Sequence, residues 1–124
     1  MATSNLPTSY SRYTLQERPE AYITPTTFKY ETLSLEELKS SMKDTDVLVQ
    51  VDYISLDPAM RGWLRDQRSY IAPVAIGEVM RAGGLGTVVA IGSQVDNAKI
   101  GDIVTGYYGW SEFVCVPAKG LTIL

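Results

Sequence analysis

The sequence predicts a mainly β domain, a small barrel or sandwich with one or two short helices. Short runs of β-branched and aromatic residues are separated by turns that contain Gly or Pro, and no internal repeat interrupts this order. A length of 124 residues suits one domain. With 45% hydrophobic and 20% charged residues, the composition is that of a globular protein rather than a disordered or fibrous one.

The first part of the chain predicts a flexible start followed by two strands and a helix. Residues 1–12 are treated as the flexible start because the first ten are small and polar with one proline, although Ser11 to Gln16 could already form a strand. Phe28 to Leu33 alternates apolar and polar residues, as a half-exposed strand does. Ser34 and Glu37 match a capping box, which predicts a short helix. Its apolar face would carry Leu35, Leu38 and Met42.

The strongest strand pattern is Val47 to Ile54. Val47, Val49, Val51 and Tyr53 fall on one predicted face, whereas Gln50 and Asp52 mark the other. Soon afterwards, Asp57 followed by Pro58 is typical of a helix start, with an Asp cap and proline at the first helical position.

From Gly83 the chain returns to β structure. Strands are predicted at Thr87 to Ile91, Ile103 to Thr105 and Ser111 to Val116. Leu121 to Leu124 is apolar and strand-like, as are segments that continue into a core, so we expect this chain to be part of a longer one.

The residue counts exclude much of acid–base and metal chemistry. The absence of histidine excludes Ser/His/Asp and Cys/His catalytic units and removes the commonest zinc ligand. One cysteine allows no disulfide within the chain. A net charge of −3 argues against nucleic acid and anionic membranes as partners. The single thiol and the lack of a signal peptide predict a cytoplasmic location.

Several stretches together resemble a known family. From about Tyr13 to the last residue, the chain resembles the N-terminal, GroES-like domain of the zinc-independent medium-chain dehydrogenase/reductases. Within this family, it most resembles the branch of the alkenal double-bond reductases and prostaglandin reductases. The stretches are Asp57-Pro58-Ala59-Met60-Arg61-Gly62, Ser69-Tyr70-Ile71-Ala72-Pro73, Ile76-Gly77-Glu78-Val79-Met80, Gly83-Gly84-Leu85-Gly86-Thr87-Val88-Val89, Gly101-Asp102-Ile103-Val104-Thr105-Gly106 and Gly109-Trp110-Ser111-Glu112-Phe113.

The resemblance implies an NADP(H)-dependent enzyme with two domains that reduces the C=C bond of α,β-unsaturated carbonyls. Residues 13–124 would form its substrate-side domain, a partly open barrel, without the Rossmann domain that carries the glycine-rich turn and a catalytic tyrosine. No catalytic residue is therefore expected here, and the isolated chain should be inactive and should not bind NADPH. Two alternatives stay open: a quinone reductase of the same superfamily, and a free-standing interaction module without chemistry.

The same resemblance suggests a substrate pocket, with Asp57, Ala59, Met60, Arg61, Tyr70 and Tyr108 as its candidate residues. Ala59 stands where family members often carry an aromatic residue, which would widen the pocket. Arg61 belongs to the matched motif, whereas for Arg65 and Arg68 a solvated helix face is favoured over a role in binding anions. Tyr70 and Tyr108 could line a pocket for an apolar enal or enone, or could simply cover a barrel end.

Neither zinc nor a phosphate loop is expected. Zinc-dependent relatives use a histidine in a Gly-His-Glu motif, but Ile76-Gly77-Glu78 lacks it; Asp57 and Glu78 alone would be weak ligands for hard cations. The glycines at 83–86 fit a tight turn or a bulge into a strand, because a phosphate loop would have to open a helix. The expected partners are a small enal, enone or quinone and further copies of the chain, paired through open strand edges.

Overall fold

The computed structural model describes residues 6–19, 21–56, 60, 64 and 73–124, which form a mainly β domain. A five-stranded antiparallel sheet has the strand order β6-β3-β4-β5-β7, and β1 and β2 form a separate antiparallel pair. The one helix among the described residues is α1. The elements are β1 (Ser9–Leu15), β2 (Phe28–Ser34), α1 (Leu35–Ser40), β3 (Asp46–Ile54), β4 (Gly83–Ile91), β5 (Ile103–Tyr107), β6 (Phe113–Pro117) and β7 (Thr122–Ile123).

The predicted fold class is confirmed, and the sheet is partly open. Strand β1 is bonded on both sides: it pairs with β2, and its other edge bonds to the segments at 77–80 and 110–112. The Tyr13 amide donates to the Trp110 carbonyl at 2.9 Å, and the Leu15 amide donates to the Glu78 carbonyl at 2.9 Å. These bonds hold the β1–β2 pair against the five-stranded sheet.

The first strand begins earlier than predicted. Strand β1 starts at Ser9, so residues 9–12 are ordered strand residues and not a flexible start. Tyr10 is buried and packs edge-to-face on Phe113, with ring centroids 6.3 Å apart. The polar residues around Tyr10 do not predict this start, because the aromatic side chain on which Tyr10 packs lies about a hundred residues away in the chain.

The predicted helix is confirmed as α1, directly after β2. The Ser34 hydroxyl accepts a hydrogen bond from the Glu37 amide at 3.3 Å, as the capping pattern predicts. Leu35 is fully buried, and Leu38 and Met42 pack against the same apolar cluster. Of the predicted second helix, which begins at Asp57-Pro58, only Met60 and Leu64 are described, both in 3₁₀ conformation, and its other residues lie outside the described residues.

Strand β3 differs from the predicted alternation of one apolar and one polar face. It is buried on both faces at its start and exposed at its end. Val47 and Val49 are buried in one cluster, while Leu48, on the opposite face, is fully buried beside Leu35 in another. Tyr53, predicted on the buried face, is 72% exposed. The register of β3 against β4 shifts between Val51 and Tyr53, and this bulge takes Tyr53 off the regular alternation.

The glycines at the start of β4 allow the close approach of β3. A Cβ atom on Gly86 would lie 2.5 Å from a Val49 methyl and 2.6 Å from the Gln50 carbonyl oxygen, and one on Gly84 would collide with the Tyr53 carbonyl oxygen. Strand β4 then continues to Ile91 without a helix. The interpretation as glycines of a strand bulge, and not of a phosphate loop, therefore holds.

Cys115 on β6 is half-buried, and its thiol donates to the Leu38 carbonyl at 3.4 Å. Burial and the negative charge of Asp46 raise the pKa of the Cys115 thiol, and a hydrogen bond with Ser41 opposes them.

Because the thiolate is the reactive form, we expect iodoacetamide at pH 8 to alkylate Cys115 roughly 10-fold more slowly in the folded chain than in urea. Asp46→Asn should speed the reaction in the folded chain, since it removes the charge that disfavours the thiolate. Equal rates with and without urea would contradict this expectation. Mass spectrometry of timed samples measures both rates.

Candidate functional site

One end of the five-stranded sheet brings the ends of three neighbouring strands together. Because β3, β4 and β5 are antiparallel neighbours, the end of β3, the start of β4 and the end of β5 meet at this end. Gly83 pairs with Tyr107, and the Ser55 amide donates to the Gly83 carbonyl at 2.7 Å. Two residues beyond Ser55, the sequence reaches Asp57 and the motif that follows it. We call this region the strand-end site.

A cavity of about 450 Å³ lies at this site, between two backbone-paired segments. The Gly109 amide donates to the Ala82 carbonyl at 3.1 Å, and the Trp110 amide donates to the Met80 carbonyl at 2.9 Å. Gly109 has a φ of 80°, and a Cβ there would lie 2.9 Å from the Met80 oxygen. The tight crossing thus requires glycine. The cavity is lined by Glu78, Val79, Arg81, Tyr107, Tyr108 and Gly109.

Tyr108 lines this cavity with its ring and is itself 8% exposed. Its ring packs over Gly106 and joins the apolar cluster of Val47, Val49 and Val88. Its hydroxyl is buried and finds no hydrogen-bond acceptor or donor among the described residues. Burial raises the pKa of Tyr108, so the hydroxyl is protonated at neutral pH and remains a potential donor.

Two further depressions adjoin the strand-end site. A groove of about 470 Å³ runs between the β1–β2 pair and the end of β3, with Tyr13, Tyr30, Tyr53 and Trp110 on its walls. Trp110 packs on Phe28 with ring centroids 4.8 Å apart. A shallower depression of about 360 Å³ lies over Gly83, Leu85 and Thr105.

Of the six predicted pocket residues, the structure describes Met60 and Tyr108. Tyr108 lines the cavity of about 450 Å³. Met60 is 6% exposed and lies in a core cluster, so the structure places it behind the site and not on its surface; the other members are Leu15, Leu64, Val74, Met80 and Ala82. Asp57, Ala59, Arg61 and Tyr70 lie outside the described residues.

The structure brings to the site several residues that do not belong to the six predicted pocket residues. Tyr107 is 72% exposed and Tyr53 equally so, and both stand at strand ends there. Arg81 lines the cavity beside them, although the sequence analysis considered only the arginines at 61, 65 and 68. Their positions in the sequence were the available signal. Tyr53 lies near the end of a predicted strand, Tyr107 lies just after one, and Arg81 lies just before the return to β structure at Gly83.

Nothing in the described part of the chain groups three or more metal-ligating side chains. Nor does this part hold a dinucleotide site: α1, of six residues, follows β2 without a glycine-rich turn, and no helix follows the glycines of β4. The zinc-free character of the domain stays a prediction. None of the described helices is long and apolar enough to cross a membrane.

Comparison with known proteins defines the class. The sequence family described as the N-terminal domain of oxidoreductases matches residues 11–124. The chain belongs to this family, and the resemblance to the medium-chain dehydrogenase/reductases is confirmed.

Three relatives show the level of similarity. The NADPH-dependent curcumin reductase of Escherichia coli (strain K12) is 37% identical over 102 residues, which is 82% of this chain and 28% of the reductase. YfmJ of Bacillus subtilis (strain 168), to which an NADP-dependent oxidoreductase activity is ascribed, is 34% identical over 91% of this chain and 31% of its own length. The crystal structure of CurA from Vibrio vulnificus superposes with a TM-score of 0.80 at 28% identity, over 92% of this chain and 32% of CurA.

CurA has also been crystallised in complex with NADPH. The present chain spans about a third of the length of these relatives. It therefore corresponds to one domain of proteins that are considerably longer.

Proposed function

We propose that this chain is the substrate-side domain of an NADPH-dependent, zinc-independent enzyme that reduces the C=C bond of an α,β-unsaturated carbonyl. The observation that carries the proposal is the 37% identity to an NADPH-dependent curcumin reductase over 82% of this chain. Quinone reduction is the second candidate. It has weaker support, because the similar quinone oxidoreductase structure, from Coxiella burnetii, is 18% identical and indicates the fold alone.

The strand-end site is suited to such a substrate because its surface is apolar and aromatic. Tyr53, Leu56 and Tyr107 are each 72% exposed there, and side chains of this kind cover the apolar body of an enal or enone. Because the Tyr108 hydroxyl is buried in this structure, it would donate to a substrate carbonyl in the 450 Å³ cavity only where binding opens the cavity wall at Tyr108. Asp57, Ala59, Arg61 and Tyr70 remain proposed pocket residues.

NADPH, when bound, would supply the reducing equivalents for the C=C bond. The described residues of this chain lack a site for its diphosphate, so we assign the cofactor to the remainder of the enzyme. The contribution of this chain is to bind the substrate, to exclude water from it and to orient its carbonyl. A cytoplasmic location fits both the cofactor and the single thiol.

The test is an NADPH-oxidation assay of the full-length protein with crotonaldehyde, chalcone and benzoquinone. We expect turnover of the two unsaturated carbonyls, and products in which the C=C bond is reduced and the carbonyl is intact. Reduction of benzoquinone alone would favour the quinone reductase. No turnover of any of the three would contradict the proposal, and chelator treatment should not change the rates.

The Tyr108 hydroxyl provides a prediction that separates stability from activity. Tyr108→Phe should leave the free energy of unfolding unchanged or raise it by up to about 1–3 kcal/mol, because it removes a buried hydroxyl without a described partner. The same change should lower kcat/KM of the full-length enzyme about 10-fold through the lost hydrogen bond to the substrate carbonyl. Urea denaturation and steady-state kinetics measure the two effects.

Tyr107→Phe is the matched control for stability, because Tyr107 is exposed and should leave the unfolding free energy as it is. A Tyr108→Phe variant that is less stable, with unchanged kinetics, would assign this residue to the core alone.

We also propose that the protein self-associates through an open edge of its sheet. Strand β7 pairs with β5 through Val104 and Thr105, and its other edge meets no strand among the described residues. Such an edge offers free amide and carbonyl groups to a second chain. Sedimentation of the 124-residue chain as a strict monomer at high concentration would argue against it.

A further inference from the structure

Gly83, the first residue of β4, is an exception among the glycines of this protein. Of the nine glycines that the structure describes, four have a φ in the left-handed region. At four others an added Cβ would lie within 3.1 Å of a neighbouring atom. Gly83 belongs to neither group. An added Cβ would meet only the Tyr107 ring among the described residues, at 4.0 Å, which is ordinary van der Waals contact.

The backbone at Gly83 also accepts a side chain. Gly83 pairs in register with Tyr107, and its carbonyl accepts a hydrogen bond from the Ser55 amide at 2.7 Å. Both interactions are typical of an ordinary extended strand. Glycine in a strand reduces stability relative to other residues, because it loses more entropy on folding. Nothing in the described part of the chain therefore requires glycine at position 83.

A strand glycine without a structural reason marks a place where something else approaches the backbone. At Gly84 and Gly86 that neighbour is β3 itself. At Gly83 the neighbouring space is the 360 Å³ depression beside Leu85, and Tyr107 adjoins it from the 450 Å³ cavity. Gly83 thus lines the depression directly, and its strand partner Tyr107 lines the neighbouring cavity.

We propose that Gly83 is a specificity-determining residue: its missing side chain leaves room for a bulky substituent of the unsaturated carbonyl, bound against Tyr107 and Leu85. This inference rests on the proposed function and adds the substrate class to it. Any side chain at position 83 would occupy the space of that substituent while leaving a small enal unhindered. The wild-type enzyme should therefore accept aryl-substituted enones as well as short enals.

The experiment uses Gly83→Ala and Gly83→Val in the full-length enzyme, with crotonaldehyde as the small substrate and chalcone as the bulky one. Because one methyl group in a pocket changes discrimination by about 10–200-fold, we expect the chalcone-to-crotonaldehyde ratio of kcat/KM to fall roughly 10-fold for Ala and further for Val. The temperature of thermal unfolding should be unchanged or slightly higher in both variants, because a side chain replaces a strand glycine.

Two controls separate steric exclusion from damage to the fold. Gly84→Ala should unfold the domain, since its Cβ would collide with β3. Ser93→Val adds bulk just beyond the opposite end of β4 and should change neither the stability nor the ratio. An unchanged ratio at Gly83→Val, an equal loss for both substrates, or a loss of stability in Gly83→Ala would each overturn the proposal.

The failure of the proposed function is distinguishable from the failure of this inference. If the wild-type enzyme reduces quinones and no enone, the function is wrong, and the same variants are then compared with benzoquinone and menadione. A fall in the menadione-to-benzoquinone ratio would support the role of Gly83 in selecting substrate size, and an unchanged ratio would overturn it.

Discussion

The 124-residue chain on its own is expected to oxidise no NADPH with any enal, enone or quinone, and to show no binding of NADPH in a calorimetric titration. A dinucleotide needs a strand, a glycine-rich turn and a helix N-terminus for its diphosphate. The glycines of β4 are instead enclosed by β3, and the residues from Gly83 to Leu124 contain no helix.

The full-length enzyme is the control, and it should bind NADPH under the same conditions. The expected difference is large, because the described residues contain no strand, glycine-rich turn and helix that could bind the diphosphate. Micromolar affinity of the isolated chain would contradict the assignment of the cofactor to the remainder of the enzyme.

Leu48→Ala should lower the free energy of unfolding of the chain by about 2–5 kcal/mol, a large part of the stability of a domain of this size. Leu48 is fully buried between α1 and the sheet, where it packs with Tyr10, Leu35 and Phe113. Truncating it leaves a cavity that neighbours on four elements cannot all close. Urea denaturation followed by tryptophan fluorescence measures the loss.

Leu56→Ala is the matched control, because Leu56 is 72% exposed and should change the unfolding free energy by less than about 0.5 kcal/mol. A similar loss for both variants would show that the cluster around Leu48 does not stabilise the chain as its burial indicates.

Local patterns in the sequence determined the fold class and most elements. The capping pair Ser34 and Glu37 predicted α1, and β-branched residues between glycines predicted β3 to β6, because caps and strand alternation act between residues close in the chain. The sequence motifs were also sufficient to identify the family to which the chain belongs. The sequence further predicted that the glycines at 83–86 do not form a phosphate loop.

Tertiary contacts decided what the patterns could not. Strand β1 starts at Ser9 because Tyr10 packs on distant Phe113, and β3 buries Leu48 because α1 covers its second face. At the site, the antiparallel sheet brings Gly83 beside Tyr107 and places Met60 in the core. Only the neighbours in three dimensions distinguish Gly83 from Gly84. The free space around an added Cβ depends on the atoms packed against the strand and not on the residues adjacent in the sequence.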